Sequence, residues 1–361
     1  MQRSWATIDI AALKHNWQRV KTLAPNTSVL AMIKSNGYGH GLLTVAKALP
    51  ANGFGVASLS EAIALREAGI KQPILLMMGA QSTSELHQIA AHYISLVIHQ
   101  PHHLNLLEQT PVVHPISVWL KLDTGMHRLG FPIDQAQAIY HRLQACPNVA
   151  KPLHTLTHLA EADNPKKSTT KHQIDLFNKT TKSWLATKSI ANSAGIMAWP
   201  DAHADWVRPG IMLYGVSPFA DRHAPELDLK PVMTLHSHLI AINTLNSGDA
   251  VGYGGTWTCP KKMPVGVVAI GYGDGYPRHA PSDTPVLIRG VKCPLVGRVS
   301  MDMVTVDLRN CPDAQVGDVA TLWGQGLPIE EVAQHAGTIG YELLCQVTPR
   351  VHFEVINDEG K

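Results

Sequence analysis

Ala31-Met32-Ile33-Lys34-Ser35-Asn36-Gly37-Tyr38-Gly39-His40-Gly41 is an apolar run that ends on a lysine and passes at once into a glycine-rich turn. Ser28 to Ile33 reads as a short buried strand, and Gly37, Gly39 and Gly41 permit the backbone angles of a chain turning tightly around a bound group. Lys34 then stands at the carboxyl end of that strand. In an apolar setting its ammonium loses hydration, its pKa falls, and the neutral amine can form a Schiff base with a carbonyl. A single lysine after a strand is more often a solvated rim residue, so the neighbouring segments decide the matter.

Outward from this stretch, short apolar runs recur at 28–34, 54–58, 74–78, 94–98, 116–122, 153–158, 188–192 and 211–214. Amphipathic patterns separate them, such as Ser60 to Ala68 and Thr170 to Leu185; another begins near Asp9 and sets Leu13, Trp17 and Val20 on one face. Eight beta-alpha alternations predict an α/β chain built as a closed (β/α)8 TIM-type barrel rather than an open doubly wound sheet. After Leu229 the pattern turns β-branched and alternating, with one short helical stretch near Pro328 to Ala336. The expected division is a barrel over 8–229 and a mostly-β domain over 230–361, which residues 1–7 join as a strand.

Composition narrows the function. The chain has 361 residues, 45% hydrophobic and 16% charged, a globular balance with room for a large core. A formal charge of +2 and no dense Lys/Arg run argue against a nucleic-acid partner. No apolar run has membrane length and no secretory leader is read, so a cytoplasmic location is expected. The five cysteines are widely spaced and read as reduced thiols. His99, His102 and His103 cluster in what reads as a polar loop, but without metal-site spacing, and no metal is expected. Neither a dinucleotide fingerprint, a P-loop nor a nucleophile elbow is found.

In a barrel, chemistry gathers where strands end. Lys34 ends the first; Lys121 to Arg128 follow the fifth, His158 ends the sixth, Asn192-Ser193-Ala194-Gly195 follow the seventh, and Arg208-Pro209-Gly210-Ile211 lie near the eighth. Loops after strands seven and eight recur as phosphate cradles, so Ser193 with the Gly210 and Ile211 amides suggests a phosphorylated carbonyl cofactor.

AMIKSNGYGHG at 31–41, KLDTGMHRLG at 121–130, ANSAG at 191–195, RPGIMLYG at 208–215, VGYGGTW at 251–257, IGYGDGY at 270–276, GRVSMDM at 297–303 and GYEL at 340–343 resemble, in order, segments of the alanine racemase family. That resemblance covers nearly the whole chain. It implies a pyridoxal 5'-phosphate (PLP) enzyme of fold type III that interconverts L- and D-alanine, either supplying D-alanine for peptidoglycan or degrading it. It further implies that Lys34 holds PLP as a Schiff base and that Tyr253, from the partner subunit of a head-to-tail homodimer, is the opposing base. Both free pKa values, about 10.4 and about 10, must fall for base catalysis near neutrality.

The resemblance also places Arg208 against the pyridine nitrogen, with His158 hydrogen-bonded to the tyrosine and to Arg208, and Arg128 at the cofactor's phenolic oxygen near the substrate carboxylate. Tyr38, Ser193, Gly210, Ile211 and Tyr341 match phosphate-binding positions, and the Met301 amide matches a carboxylate ligand from the other subunit. Tyr272 and Asp302 match the entrance, and Lys121 matches a lysine often carbamylated. Ser189 stands where some members have histidine, and Ser300 where many have cysteine. Three rivals share a barrel lysine: a Schiff-base lyase or aldolase without PLP, a non-enzymatic PLP carrier, and a fold III decarboxylase. The segment holding Tyr253, Met301 and Asp302 speaks against the carrier, which is essentially barrel alone.

Overall fold

A computed structural model describes residues 3–357; residues 1, 2 and 358–361 of the expected β domain lie outside it. Strand β1 (Ser4–Asp9) leads into a helix, Ile10–Leu23, because the Asp9 carboxylate accepts from the Ala12 amide at 2.9 Å and caps its first turn. Such a cap contributes about 1 kcal/mol. Leu13, Trp17 and Val20 lie on its buried face, as the spacing predicts.

Eight parallel strands then close into a barrel: β2 (Ser28–Met32), β3 (Gly53–Val56), β4 (Ile74–Leu76), β5 (Ser95–Ile98), β6 (Ile116–Lys121), β7 (Val149–Leu156), β8 (Ala186–Ser189) and β9 (Trp206–Val207). The strands β3, β4 and β5 are buried at every position, which explains why they read as continuous apolar runs rather than alternating ones.

Three expectations are corrected. The eighth strand is not 211–214 but β9, which pairs with β2 and β8; Ile211–Tyr214 is a buried 3-10 turn. Pro209 lacks the amide a ladder needs, so the chain leaves the sheet there and its most apolar stretch packs beneath the mouth. The histidine cluster is not a polar loop: His103 lies in the helix Pro101–Gln109, and both it and His99 are buried. Finally, the β-rich part carries two helices, Ile329–His335 and Gly340–Gln346, where one was expected.

Beyond the barrel come β10 (Met233–Leu245), the ribbon β11 (Ala250–Val251) and β12 (Trp257–Thr258), then β13 (Met263–Val268), β14 (Pro285–Ile288), β15 (Val291–Pro294), β16 (Val304–Asp307), β17 (Val319–Trp323) and β18 (His352–Ile356). They form a sheet in the order β15-β14-β17-β10-β1-β18, with β13 and β16 branching from β10. The first strand therefore sits between strands from the far end of the chain, antiparallel to β10 and parallel to β18. Asn16 ties the barrel to the start of this sheet, donating to Leu213 O at 3.0 Å and Lys230 O at 2.8 Å and accepting from the Lys230 amide.

Candidate active site

Lys34 follows β2 directly at the barrel mouth, and behind it the backbone turns left-handed at four successive residues. Ser35, Asn36, Gly37 and Tyr38 all have φ between 52 and 64°, and only glycine adopts that region without strain. Neighbours hold the turn in place. Glu61, in the first turn of the helix Leu59–Glu67, accepts from the Asn36 amide at 3.1 Å while its other oxygen takes the Ala57 and Ser58 amides. Asn36 Oδ1 accepts from the Leu42 amide at 2.8 Å, and the buried His40 ring meets the Gly37 and Tyr38 carbonyls. The half-buried Lys34 amine is thus aimed from a rigid base. Burial, and next the charge of Arg128, lower its pKa, opposed by Cys345 and Glu61.

Around it stand further cations. Lys121, which ends β6, is only 6% exposed and its pKa falls to about 8 through burial and the charges of Arg208 and Arg128. Asp123 opposes that fall, but its carboxylate is engaged by the Gly125 and His127 amides, both at 3.0 Å. Arg208, just past β9, is 3% exposed, and burial lowers its pKa to about 10, so it remains charged at neutral pH. Its guanidinium donates to Ser189 Oγ at 2.6 Å, to the Thr157 carbonyl and to Ile190 O at 3.2 Å. Ser189 in turn donates to Trp206 O at 2.8 Å, so the serine in place of histidine anchors the arginine to the strand beside it. His158 does not hydrogen-bond Arg208. Burial and the charges of Arg208, Lys121, Arg128 and Lys34 hold its pKa well below the usual value, so it is a neutral ring.

The turn after β9 and the start of the helix that precedes β9 meet near Tyr38. The Ser193 hydroxyl accepts from the Gly210 amide at 2.9 Å and from the Met212 amide at 3.4 Å, which draws the turn after β9 onto the start of the helix Ser193–Ala198. The Ile211 amide opens a 3-10 turn and has no partner within it. A Cβ on Gly210 would lie 2.6 Å from Tyr38 Oη, so only glycine leaves this space open. Tyr38 stacks on Tyr214 with centroids 4.7 Å apart and lies 6.3 Å from Tyr341, which the helix Gly340–Gln346 brings over the mouth. Burial pushes the Tyr38 phenol pKa up, which keeps it a proton donor. Amides, a phenol and a hydroxyl beside buried cations fit a phosphate, and a lysine amine of lowered pKa fits a carbonyl.

Tyr214 went without a role in the sequence reading. Its hydroxyl donates to Met32 O at 2.9 Å and its ring is the floor under Tyr38 and His40. The signal was present, since this tyrosine closes the RPGIMLYG segment, but a buried tyrosine is structural by default. Glu61 was equally silent, because its work is done on the backbone, whereas Ser189 was flagged only as a departure from the family pattern.

The remaining expected residues are not brought to the mouth by their own chain. Tyr253, Tyr272 and Met301 are exposed on the β-rich part and, among the described residues, make no side-chain hydrogen bond to it. Asp302 is taken by Arg3 and Arg350. Among the described residues no group of three or more His, Cys, Asp or Glu could hold a metal ion, and no helix is long and apolar enough to cross a membrane.

Fold and site together define a barrel whose mouth carries a lysine of lowered pKa beside buried cations. Residues 8–218 match the family described as alanine racemase, N-terminal domain, and residues 232–355 its C-terminal domain. An alanine racemase of Coxiella burnetii (strain RSA 493 / Nine Mile phase I) is 54% identical over 359 residues, 98% of this chain and 99% of that one. One of Vibrio atlanticus (strain LGP32) is 51% identical over 99% of this chain and 100% of its own. The crystal structure of the biosynthetic alanine racemase from Pseudomonas aeruginosa superposes with a TM-score of 0.96 at 43% identity, covering 99% of this chain and 100% of that one. The chain belongs to the alanine racemase family, and it is an enzyme of the isomerase class.

Proposed function

We propose that this protein is a PLP-dependent alanine racemase that interconverts L- and D-alanine with Lys34 and Tyr253 as opposing bases, the tyrosine reaching the site from a partner subunit. The observation that carries this reading is the barrel mouth itself, where Lys34, Lys121 and Arg208 act on one another's charge and Gly210 lets Tyr38 approach the turn after β9. PLP bound there supplies an electron sink that acidifies the α-hydrogen of an amino acid. Lys34 would hold its carbonyl carbon, Tyr38, Ser193 and the Gly210 and Ile211 amides its phosphate, and Arg208 its ring nitrogen. Tyr341 completes the phosphate side.

The residues' own parts in the proton transfer follow from their environments. Lys34, with its pKa lowered by burial, removes or returns the proton on one face. Tyr253 acts on the other, and Arg128 with the Met301 amide holds the carboxylate so that the α-carbon lies between the two bases. Arg208 keeps its proton and presents a donor to the ring nitrogen, while neutral His158 offers Tyr253 a hydrogen bond rather than a charge. Lys121, with a pKa near 8, has enough free amine to take up carbon dioxide, and its carbamate would face Arg128 as an anion.

A head-to-tail homodimer is supported by what one chain leaves bare. Tyr253, Tyr272, Met301, Met303 and Ile339 are all exposed, an apolar set suited to a second copy. We infer two domains, 8–229 and 230–361, joined by 1–7, and a cytoplasmic place for the protein, the latter supported by five unpaired cysteines. D-alanine for peptidoglycan, or its removal, is the corresponding role.

The test is stereospecific. Purified protein given L- or D-alanine with PLP is expected to form the other enantiomer, and borohydride is expected to fix the cofactor to Lys34. Lys34→Ala and Tyr253→Phe, each inactive, are expected to regain activity when mixed under subunit exchange. Protein that binds no PLP, or hybrids that form without regaining activity, would overturn the reading.

A further inference from the structure

Outside the barrel mouth, four charged side chains close into a ring. The Asp274 carboxylate is fully buried and receives the Arg3 guanidinium on Oδ1, with Arg350 Nε 3.6 Å away, while Oδ2 accepts from the Gly271 amide at 3.0 Å. Arg350 continues to Asp302 at 2.5 Å, and Arg3 returns to Asp302 through its carboxylate at 3.4 Å and its carbonyl at 3.2 Å. Two cations and two anions balance, so the burial of Asp274 is compensated only while both arginines are in place.

Most of what the ring touches is loop. The turn Tyr272–Asp274 is laced to the 299–303 loop by the Tyr272 amide to Ser300 O at 3.1 Å and the Gly273 amide to Met301 O at 2.9 Å. The Arg350 side comes through Thr348, whose amide donates to Asp274 O at 3.1 Å and whose hydroxyl donates to Gly273 O at 2.9 Å. A Cβ on Gly273 would run into the Arg350 guanidinium, so the close approach needs this glycine. Arg3 is itself fastened, because its carbonyl accepts from the buried Ser237 hydroxyl of β10 at 2.8 Å. Yet the laced loops end in two bare side chains, Tyr272 and Met301. A ring of three partly exposed ionic side chains closed on one buried carboxylate, tied to two loops that carry exposed apolar residues, is a mount.

We propose that Arg3, Asp274 and Arg350 are positioning residues for the half-site this chain lends to its partner: together they set the place of Tyr272 and of the Met301 amide in the partner's alanine pocket. This rests on the shared-site reading above. Loss of one guanidinium lets the 271–276 and 299–303 loops shift against each other. Misplacement by about 1 Å at a reacting centre can cost on the order of a hundredfold. On that reading the Met301 amide meets the substrate carboxylate and Tyr272 stands at the pocket entrance, so the damage falls on alanine binding.

The test uses hybrid dimers. In Arg350→Ala homodimers the KM for alanine is expected to rise by about tenfold or more with kcat changed by less than about threefold, a loss of binding rather than of the chemical step. The Schiff-base absorption band and the sedimentation of the dimer are expected to stay as in the parent. Arg350→Lys is expected to recover most of the affinity, and Asp274→Asn to lie between; these serve if the alanine variant folds poorly. Place Lys34→Ala and Arg350→Ala on one chain beside an unaltered partner, and the surviving site uses the damaged loops and shows the raised KM. Place them on opposite chains, and the surviving site shows the parent KM.

A KM unaltered by Arg350→Ala, a lowered Tm alone, or the same KM in both arrangements would overturn the positioning role. The same two arrangements built with Tyr253→Phe report on the shared site separately. If these do not differ, that reading falls; if they differ and the Arg350 pair does not, only the present inference falls.

Discussion

Lys121 shows how much one residue's surroundings determine its chemistry. Its stem is held in β6, and three other cations face its amine with one engaged carboxylate in opposition. Below pH 8 the amine is protonated in folded and unfolded chains alike, so its contribution to stability does not change with pH there. Between about 8 and the ordinary lysine value near 10.5 the unfolded chain still binds the proton that the folded one has released, and stability rises with pH. Urea titrations of cofactor-free protein between pH 8 and 10 are expected to show a smaller rise for Lys121→Met than for the parent; equal slopes would remove the residue from this account. Arg208 makes the opposite case, since its donors have partners in Ser189 and two carbonyls and burial does not cost it its charge.

At the scale of elements, the turn behind Lys34 is the costly one. A left-handed residue other than glycine costs roughly 1–2 kcal/mol, and three stand in a row with Gly37 among them. Glu61 offsets part of that cost by joining the Asn36 amide to the start of its own helix. Glu61→Gln is expected to lower stability by about 1–3 kcal/mol, because a charged acceptor of three amides becomes a neutral one; chemical denaturation measures it, together with a weaker hold on PLP read by spectral titration. The glycines made a tight turn legible in the sequence, and Asn36 is a residue that tolerates the left-handed region, but nothing in Ser35 or Tyr38 announces it. The barrel strands were legible for the reason that buries them, apolar side chains on both faces. β9 was not, since two residues carry no periodicity and the louder run at 211–214 lay just beyond. Pro209 between them was the cue. The helix Gly340–Gln346 opens on a glycine and spans two turns, too short for a pattern, although its GYEL opening was already tied to the site.

For the molecule as a whole, the residues proposed for the barrel mouth were legible as candidates because they cluster at strand ends. Those of the β-rich part were legible only through resemblance, since exposed tyrosines and methionines show no pattern of their own. The strand β18 is exposed along its length and is the only cover on one edge of β1 among the described residues. A chain ended after Val351 is expected to keep its helical circular dichroism, lose several degrees of Tm and scatter light on standing, as an uncovered strand edge recruits others. Unaltered Tm and clarity would show that β18 is dispensable.

The place of β1 also imposes an order on the newborn chain. Ser4 pairs with Ser237, and Trp5 with His352, so β1 has no neighbour in the sheet until β10 has been made and no second neighbour until β18 has. The barrel lies wholly between these events and can close while translation continues. Arg3 travels with the waiting strand, and Arg350 arrives just ahead of β18. On the proposed shared-site reading, each polypeptide can complete its own barrel mouth before the loops it lends to a second copy are tied in place, because Arg350 must first reach Asp274 and Asp302.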